Sequence, residues 1–285
     1  MKLLSWNIQW GRGMDGRVDL ARVVRDVRGI GDFDVICLQE VAVNFPSLAG
    51  NDACDQVAEL SRLLPGYTPI YAPATDAPDA NGGRKQFGNA IFSRLPVGQI
   101  WRHLLPWPND PAVPSMQRVL LEVVVQTEFG PLRVLTTHLE YYSLAQRQAQ
   151  IDAIRHLHTE ACAHAGQPRR GEGEQGGSFE VFARPASALL CGDMNFPAEA
   201  PERARLLAPF SDATPALLDS WDVLHPGRPH APSVGIHPVD FVDWPACFDF
   251  IFLTQDLTPR LQTWAVDAET EASDHQPVWV ELTSS

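Results

Sequence analysis

The sequence predicts an α/β (α+β) protein in which two β-sheets pack face to face with helices on the outside. Three observations lead there. Apolar runs of strand length outnumber amphipathic helical stretches. The runs come in pairs separated by single helices. The alternation is too irregular for a doubly wound parallel sheet. Of 285 residues, 45% are hydrophobic and 20% charged, enough to bury a sizeable core.

The elements follow in order. Lys2 to Ile8 is a short strand, and Leu20, Val23, Val24 and Val27 share one helical face. Asp34 to Gln39 is a compact apolar run ending in Glu40. Cys54 to Leu64 reads as a helix stopped by Pro65-Gly66. Tyr67 to Tyr71 and Ala90 to Ser93 read as strands. Trp101 to Met116 carries four prolines and no clear period, so it reads as loop. Val119 to Val125 and Leu132 to Thr137 flank the turn-like Glu128-Phe129-Gly130-Pro131 and form a hairpin. Leu144, Ile151, Ile154 and Leu157 place a helix over Ser143 to His158.

Residues 166–177 are rich in Gly, Arg and Glu and hold no apolar anchor, which predicts a flexible insertion. Strand rhythm resumes at Ala188 to Cys191, so one domain over 1–285 is expected. Pro201 to Leu207 starts another helix, and His225 to Pro245 is a loop rich in Pro and His. Phe248 to Leu253 and Val278 to Leu282 are closing strands. There is no internal repeat.

With 35 acidic and 22 basic residues the formal charge is -13. Such a chain lacks the positive field that drives extended, nonspecific nucleic-acid binding, although a local basic patch or bound metal could supply it. The five cysteines show no CxxC spacing and read as thiols of a reducing compartment. The start, Met-Lys-Leu-Leu-Ser-Trp-Asn, is too weak for a signal peptide, and no apolar run approaches the roughly 20 residues of a membrane span. A cytoplasmic chain without a membrane span, and with no obligate protein partner evident, is expected.

The chemistry-bearing residues fall at the ends of apolar runs. Asn7 closes the first strand and Glu40 closes Val35-Ile36-Cys37-Leu38. His138 follows Val134-Leu135-Thr136-Thr137, and Asp193 and Asn195 follow Leu189-Leu190-Cys191-Gly192. Asp249 lies in Phe248-Asp-Phe-Ile-Phe, and Asp274-His275 precede Gln-Pro-Val-Trp-Val. Singly, each has a plain reading: a solvated strand end, a turn at Asn195, a surface loop at Asp274-His275. Presented together from a rigid scaffold they would form one constellation. The hard oxygen ligands Asn7, Glu40 and Asp274 suit Mg2+ or Mn2+. The His and remaining Asp residues suit proton and phosphate chemistry.

Seven motifs resemble, in order, those of the endonuclease/exonuclease/phosphatase superfamily, the deoxyribonuclease I and exonuclease III group. They are Ser5-Trp6-Asn7-Ile8, Leu38-Gln39-Glu40-Val41, Gly88-Asn89-Ala90-Ile91, Thr137-His138-Leu139-Glu140, Gly192-Asp193-Met194-Asn195, Phe248-Asp249-Phe250-Ile251-Phe252 and Ser273-Asp274-His275. They span nearly the whole chain. The resemblance implies a four-layer α/β/β/α sandwich of two packed mixed β-sheets, with the site in a cleft at one edge. It implies Glu40 as principal metal ligand, with Asn7 and Asp274 near the metal. Asp193 would orient or deprotonate the attacking water and Asn195 would help hold it. His275, its tautomer fixed by Asp249, would contact the scissile phosphate. His138 would face the same phosphate and protonate the leaving group.

Asn89, Tyr141 and Arg118 are candidate substrate contacts, and Arg147 and Gln150 read as structural. Cys247 stands where many relatives carry Arg, which would leave a local carboxylate without its partner. Tyr67 to Tyr71 offers no Glu to support His138. The substrate would be read by the loops Trp101 to Met116 and His225 to Trp244. A phosphoester in nucleic acid comes first, with some likeness to the tyrosyl-DNA phosphodiesterase branch. A small-molecule or lipid-headgroup phosphate, as in the inositol-phosphatase and sphingomyelinase branches, is the alternative. A binding module that has lost catalysis comes third, because all eight site positions are filled.

Overall fold

The computed structural model describes residues 1–79, 82–167 and 177–284, so most of the expected insertion at 166–177 lies outside the described residues. The strands, in chain order, are β1 (Lys2–Asn7), β2 (Val35–Val43), β3 (Thr68–Pro78), β4 (Arg84–Ser93), β5 (Val97–Leu104) and β6 (Val119–Thr127). They continue as β7 (Gly130–His138), β8 (Ala188–Asp193), β9 (Leu217–Asp219), β10 (Asp249–Thr254), β11 (Leu261–Val266) and β12 (Val278–Leu282). Helices are α1 (Leu20–Ile30), α2 (Gln56–Leu63), α3 (Leu144–Gly166), α4 (Pro201–Leu207) and α5 (Ser220–Leu224).

They assemble as two six-stranded mixed sheets, ordered β11-β12-β1-β2-β4-β3 and β5-β6-β7-β8-β10-β9. Each sheet contains one parallel pair, β1 with β2 and β7 with β8. A parallel pair needs a crossover, and here each is helical: α1 joins β1 to β2 and α3 joins β7 to β8. Both crossovers lie outside the sandwich, which is what makes four layers.

Strand alternation produces three cores. In β1, Leu3 faces the second sheet with Val35 and Cys37, against Val119, Leu121, Leu189 and Cys191. Leu4 and Trp6 face the other way, onto Val23, Val24 and Val27 of α1. On the far side Leu135 and Leu190 meet Ile151 and Ile154 of α3. Burial on both faces explains why these strands read as nearly continuous apolar runs.

Buried polar bonds also tie the sheets together, among them one near the site. Gln39 Nε2 on β2 donates to Thr136 Oγ1 on β7 at 2.8 Å. It joins the two sheets one residue short of Glu40 and two short of His138.

The sequence reading needs three corrections. Trp101 to Leu104 is not loop but the end of β5, paired with β6 as Trp101 to Glu122 and Leu104 to Val119. The Arg184 guanidinium lies 4.7 Å over the Trp101 ring, so this aromatic covers a charge at the far end of the sheet. Second, β11 and the short β9 carried no signal strong enough to be read. Third, Leu144 opens α3 but is 50% exposed, so the buried face of that helix starts later, at Gln146, Gln150 and Ile151. Ser143 caps α3 by accepting from Gln146 N. Trp221 is partly buried against the inter-sheet core and meets Trp264 edge-on. No helix among the described residues is long and apolar enough to cross a membrane.

Candidate active site

Because β1, β2, β7 and β8 run parallel in pairs, the C-terminal ends of β1, β7 and β8 deliver Asn7, His138 and Asp193 to one edge of the sandwich, where the irregular stretch of β2 brings Glu40. The start of β10 and the turn before β12 bring Asp249, Asp274 and His275 to the same edge. All eight residues singled out in the sequence therefore meet, at distances that define one cluster.

Asn7 Nδ2 donates to Glu40 Oε1 (3.1 Å) and to Asp193 Oδ2 (3.0 Å), so it bridges the two sheets. His138 sets Nε2 3.3 Å from Asp193 Oδ2 and Nδ1 3.8 Å from Glu40 Oε1. His275 Nε2 lies 3.6 Å from the same Asp193 oxygen, while its Nδ1 is 2.8 Å from Asp249 Oδ2. Asp193 Oδ1 accepts from Asn195 N (2.9 Å), and Asn195 Nδ2 donates to Leu139 O (2.7 Å).

Two of these residues sit on strained backbone. The β2–β4 pairing shifts register between Leu38 and Val41, and Glu40 there has φ 60°. The bulge turns its carboxylate into the cleft. Asn195 has φ 53°. Left-handed backbone at non-glycine residues costs on the order of 1–3 kcal/mol each and concentrates at functional sites. Gly192, just before Asp193, has φ 137°, and a Cβ there would fall 1.9 Å from Thr137 O. Only glycine lets β8 approach β7 so closely beside His138.

Burial raises the pKa of Glu40 to about 7, helped by the negative charges of Asp274 and Asp193. Burial likewise raises Asp193 to about 6 against the His275 charge, with Asp249 adding to the rise. Burial holds His138 well below its ordinary value, and Arg118 and His275 push the same way. For His275 burial is outweighed by Asp249 and Asp193, which lift it well above its ordinary value. Burial and neighbouring charges thus push the two imidazoles in opposite directions, His275 toward the protonated form and His138 toward the neutral one.

The absent Glu on Tyr67 to Tyr71 does not leave His138 without carboxylates, because Glu40 and Asp193 reach it from β2 and β8. The Cys247 thiol donates to the Asp249 carbonyl (3.4 Å), and Asp249 Oδ1, buried, has no partner among the described residues. Of the candidate substrate contacts, Arg118 and Tyr141 line the cleft. Asn89 is buried, its Nδ2 donates to Val119 O (3.0 Å), and it lines a narrow space with Glu40, Arg118 and His138. Arg147 holds the carbonyls of Glu140 and Tyr141, and Gln150 accepts from Glu140 N, both as structural residues.

Several residues here escaped the sequence reading. Gln9, with φ 45°, donates from N to Asn7 Oδ1 (3.0 Å) and from Nε2 to Asp274 Oδ2. Its place two residues after Asn7 was the available clue. Ser233 donates to Asp249 Oδ2 (2.7 Å), and Phe241 stacks on His275 with centroids 5.9 Å apart. Both lie in a loop without periodicity, so nothing local marked them.

The donors fit a hard divalent cation. Glu40 and Asp274 bring neighbouring carboxylates whose repulsion is expressed in the raised Glu40 pKa, and a cation relieves it. Asp193, Asp249 and His275 also come within metal-binding range of one another, but His275 and Ser233 already fill Asp249 Oδ2. Asp219, Asp222 and His230 form a further group, with Arg203 bonded into it at 2.9 Å from Asp219 Oδ2.

Clustered carboxylates and imidazoles at one edge of a four-layer sandwich are the groups that metal-assisted hydrolysis of a phosphoester calls for. The family model described as endonuclease/exonuclease/phosphatase matches residues 4–275, and the chain belongs to that family. Among solved structures it is similar to an endonuclease/exonuclease/phosphatase from Beutenbergia cavernae DSM 12333 (TM-score 0.71, 22% identity, 99% of this chain and 71% of that chain). It is similar to the mannosyl-6-phosphatase Bt3783 of Bacteroides thetaiotaomicron VPI-5482 (0.66, 18%, 99% of both chains). It is also similar to D. rerio TDP2 complexed with a single-strand DNA product (0.65, 18%, 100% of this chain and 99% of that chain). No curated protein matches by sequence.

Proposed function

We propose that the protein hydrolyses phosphoesters by direct attack of a water on phosphorus, with Glu40, Asp274 and the neighbouring Asn7 holding Mg2+ or Mn2+. The observation that carries this is the setting of Asp193 Oδ2, faced by Asn7 Nδ2, His138 Nε2 and His275 Nε2 at 3.0, 3.3 and 3.6 Å. A bound cation would supply charge neutralisation at the phosphoryl oxygens. Asp193, with a pKa of about 6, takes one proton from the water as its oxygen bonds to phosphorus. The ester P–O bond breaks with its electron pair going to the leaving oxygen. His275, protonated and held by Asp249, is placed to give that oxygen a proton. His138, neutral, serves as a hydrogen-bond partner to the phosphate rather than as the acid.

The substrate read first is a single-stranded nucleic-acid end. Tyr142 is 59% exposed at the cleft, and Trp107 and Trp244, on the flanking loops, are 50% and 64% exposed. Such rings can stack on unpaired bases. The charge of -13 opposes an extended duplex footprint. A small phosphorylated molecule is the second reading, favoured by a cleft cavity of only about 220 Å³. All five cysteines are free, which fits a cytoplasmic setting.

A panel of single-stranded DNA and RNA, a 5′-phosphotyrosyl oligonucleotide, an abasic duplex, inositol phosphates and bis-p-nitrophenyl phosphate, with each metal, tests the reading. A chiral phosphorothioate should invert, and retention would exclude direct attack. Metal binding should also release protons. Glu40 titrates near 7 without metal, so Mg2+ affinity should rise with pH and level off above 7, falling by up to about tenfold per unit below. Calorimetry in buffers of different ionisation enthalpy measures this, and a pH-independent affinity between 5.5 and 7 would contradict Glu40 as a ligand.

A further inference from the structure

Resting on the hydrolase reading, we infer that Arg118 makes this cleft selective for a terminal phosphate, a phosphomonoester dianion, over an internal phosphodiester. Arg118 is only 7% exposed, yet it lines the cleft beside His138. Its Nε donates to Glu140 Oε2 at 3.2 Å. Its Nη1 and Nη2 have no acceptor among the described residues. Neither atom is sealed from solvent, so the unpaired edge of this largely buried side chain is open to the cleft, where an anion can meet it.

The mounting is rigid. Glu140 is fully buried, and its other oxygen accepts from Tyr142 N at 3.0 Å. Its backbone N is held by Gln150 at 2.9 Å. Arg118 thus presents a fixed two-donor fork, the shape that matches two oxygens of one phosphate.

The space beside it is narrow. Between Glu40, Asn89, Met116, Arg118 and His138 the cavity measures only about 10 Å³. An ester arm does not fit there. On the other side the cleft opens past Tyr141, Tyr142 and Phe241. The roomier side admits one substituent on phosphorus. A monoester has three non-bridging oxygens, enough to meet Arg118, His275 and the Glu40–Asp274 side at once. A diester has two, and its second arm would have to displace the Arg118 fork.

The test compares wild type, Arg118→Met and Arg118→Lys on p-nitrophenyl phosphate and bis-p-nitrophenyl phosphate. Wild type should favour the monoester, and Arg118→Met should lower the monoester-to-diester ratio of kcat/KM by roughly 100-fold. Arg118→Lys keeps the charge beside Glu140 without the fork and should lose roughly tenfold of that ratio, which covers a poorly folding Met variant. Calorimetry with inorganic phosphate gives a readout independent of turnover: affinity should fall at least about tenfold in either variant. Equal loss on both substrates, a wild-type preference for the diester, or unchanged phosphate affinity would each overturn the assignment. If wild type hydrolyses neither substrate yet binds phosphate through Arg118, the hydrolase reading fails and the terminal-phosphate site stands. A hexose 6-phosphate and a single-stranded oligonucleotide with a terminal phosphate then separate the two sources of the monoester.

Discussion

Asp193→Asn is expected to lower kcat by roughly 1,000-fold or more while leaving the metal-free protein at least as stable as wild type. The isosteric amide keeps the volume and can still accept from Asn195 N. It cannot take a proton from water, and it can no longer balance the protonated His275 3.6 Å away. The stability side follows from the direction of the Asp193 shift. Its folded-state pKa, about 6, lies above the ordinary 3.8, so the folded protein holds this proton more tightly than the unfolded chain. Ionised Asp193 therefore destabilises the metal-free fold above pH 6, and the penalty disappears below 3.8. Removing the charge should return on the order of 1–3 kcal/mol at pH 7. Rapid-quench kinetics with thermal unfolding at pH 7 and pH 4 reads both. Activity within tenfold of wild type would remove Asp193 from the role of base.

The second large effect lies far from the chemistry. Glu122→Ala is expected to destabilise the fold by about 3–5 kcal/mol, because it leaves buried cations unpaired. Glu122 is fully buried on β6. One oxygen accepts from Arg184 Nε (2.9 Å), the other from Arg184 Nη2 (3.0 Å) and faces His103 Nε2 (3.1 Å). Arg133, also fully buried, lies 3.6 Å away and reaches on to the carbonyls of Pro185 and Ala186. Burial alone would raise the Glu122 pKa. Hydrogen bonds from His103 and Arg184 and the charges of both arginines outweigh it and bring the value to about 2. The stabilisation is present above pH 4.5 and is lost as pH falls through 2. A melting temperature lower by roughly 10 °C is expected, with a smaller drop for Glu122→Gln. A change under about 1 kcal/mol would show that the arginines find other partners.

Much of the site was legible because polar residues interrupt apolar strands at their ends, a pattern that survives without any knowledge of strand order. Glu40 after Val35-Ile36-Cys37-Leu38 is the plainest case. What could not be read was how strands share sheets. The run from Trp101 reads as loop because the four prolines Pro106, Pro108, Pro111 and Pro114 mask the strand preceding them. β11 is an edge strand with mixed burial and so lacked a clean alternation. Gln9, Ser233 and Phe241 act through contacts with residues far away in sequence, Asp274, Asp249 and His275, and no local pattern reports such distances. Asn89, marked by a family motif, lies beside Glu40 and His138 with its Nδ2 bonded to Val119 O.

The pairing of Lys2 on β1 with Glu281 on β12 joins segments far apart in sequence in the middle of the first sheet. During synthesis β1 and β2 emerge early, yet one long edge of β1 stays bare until residues 278–282 follow. Asp274 and His275 arrive with that same segment. Nascent chains should therefore be inactive and sticky until the last strand zips into place, and chaperone dependence should be greatest for chains stalled between β11 and β12.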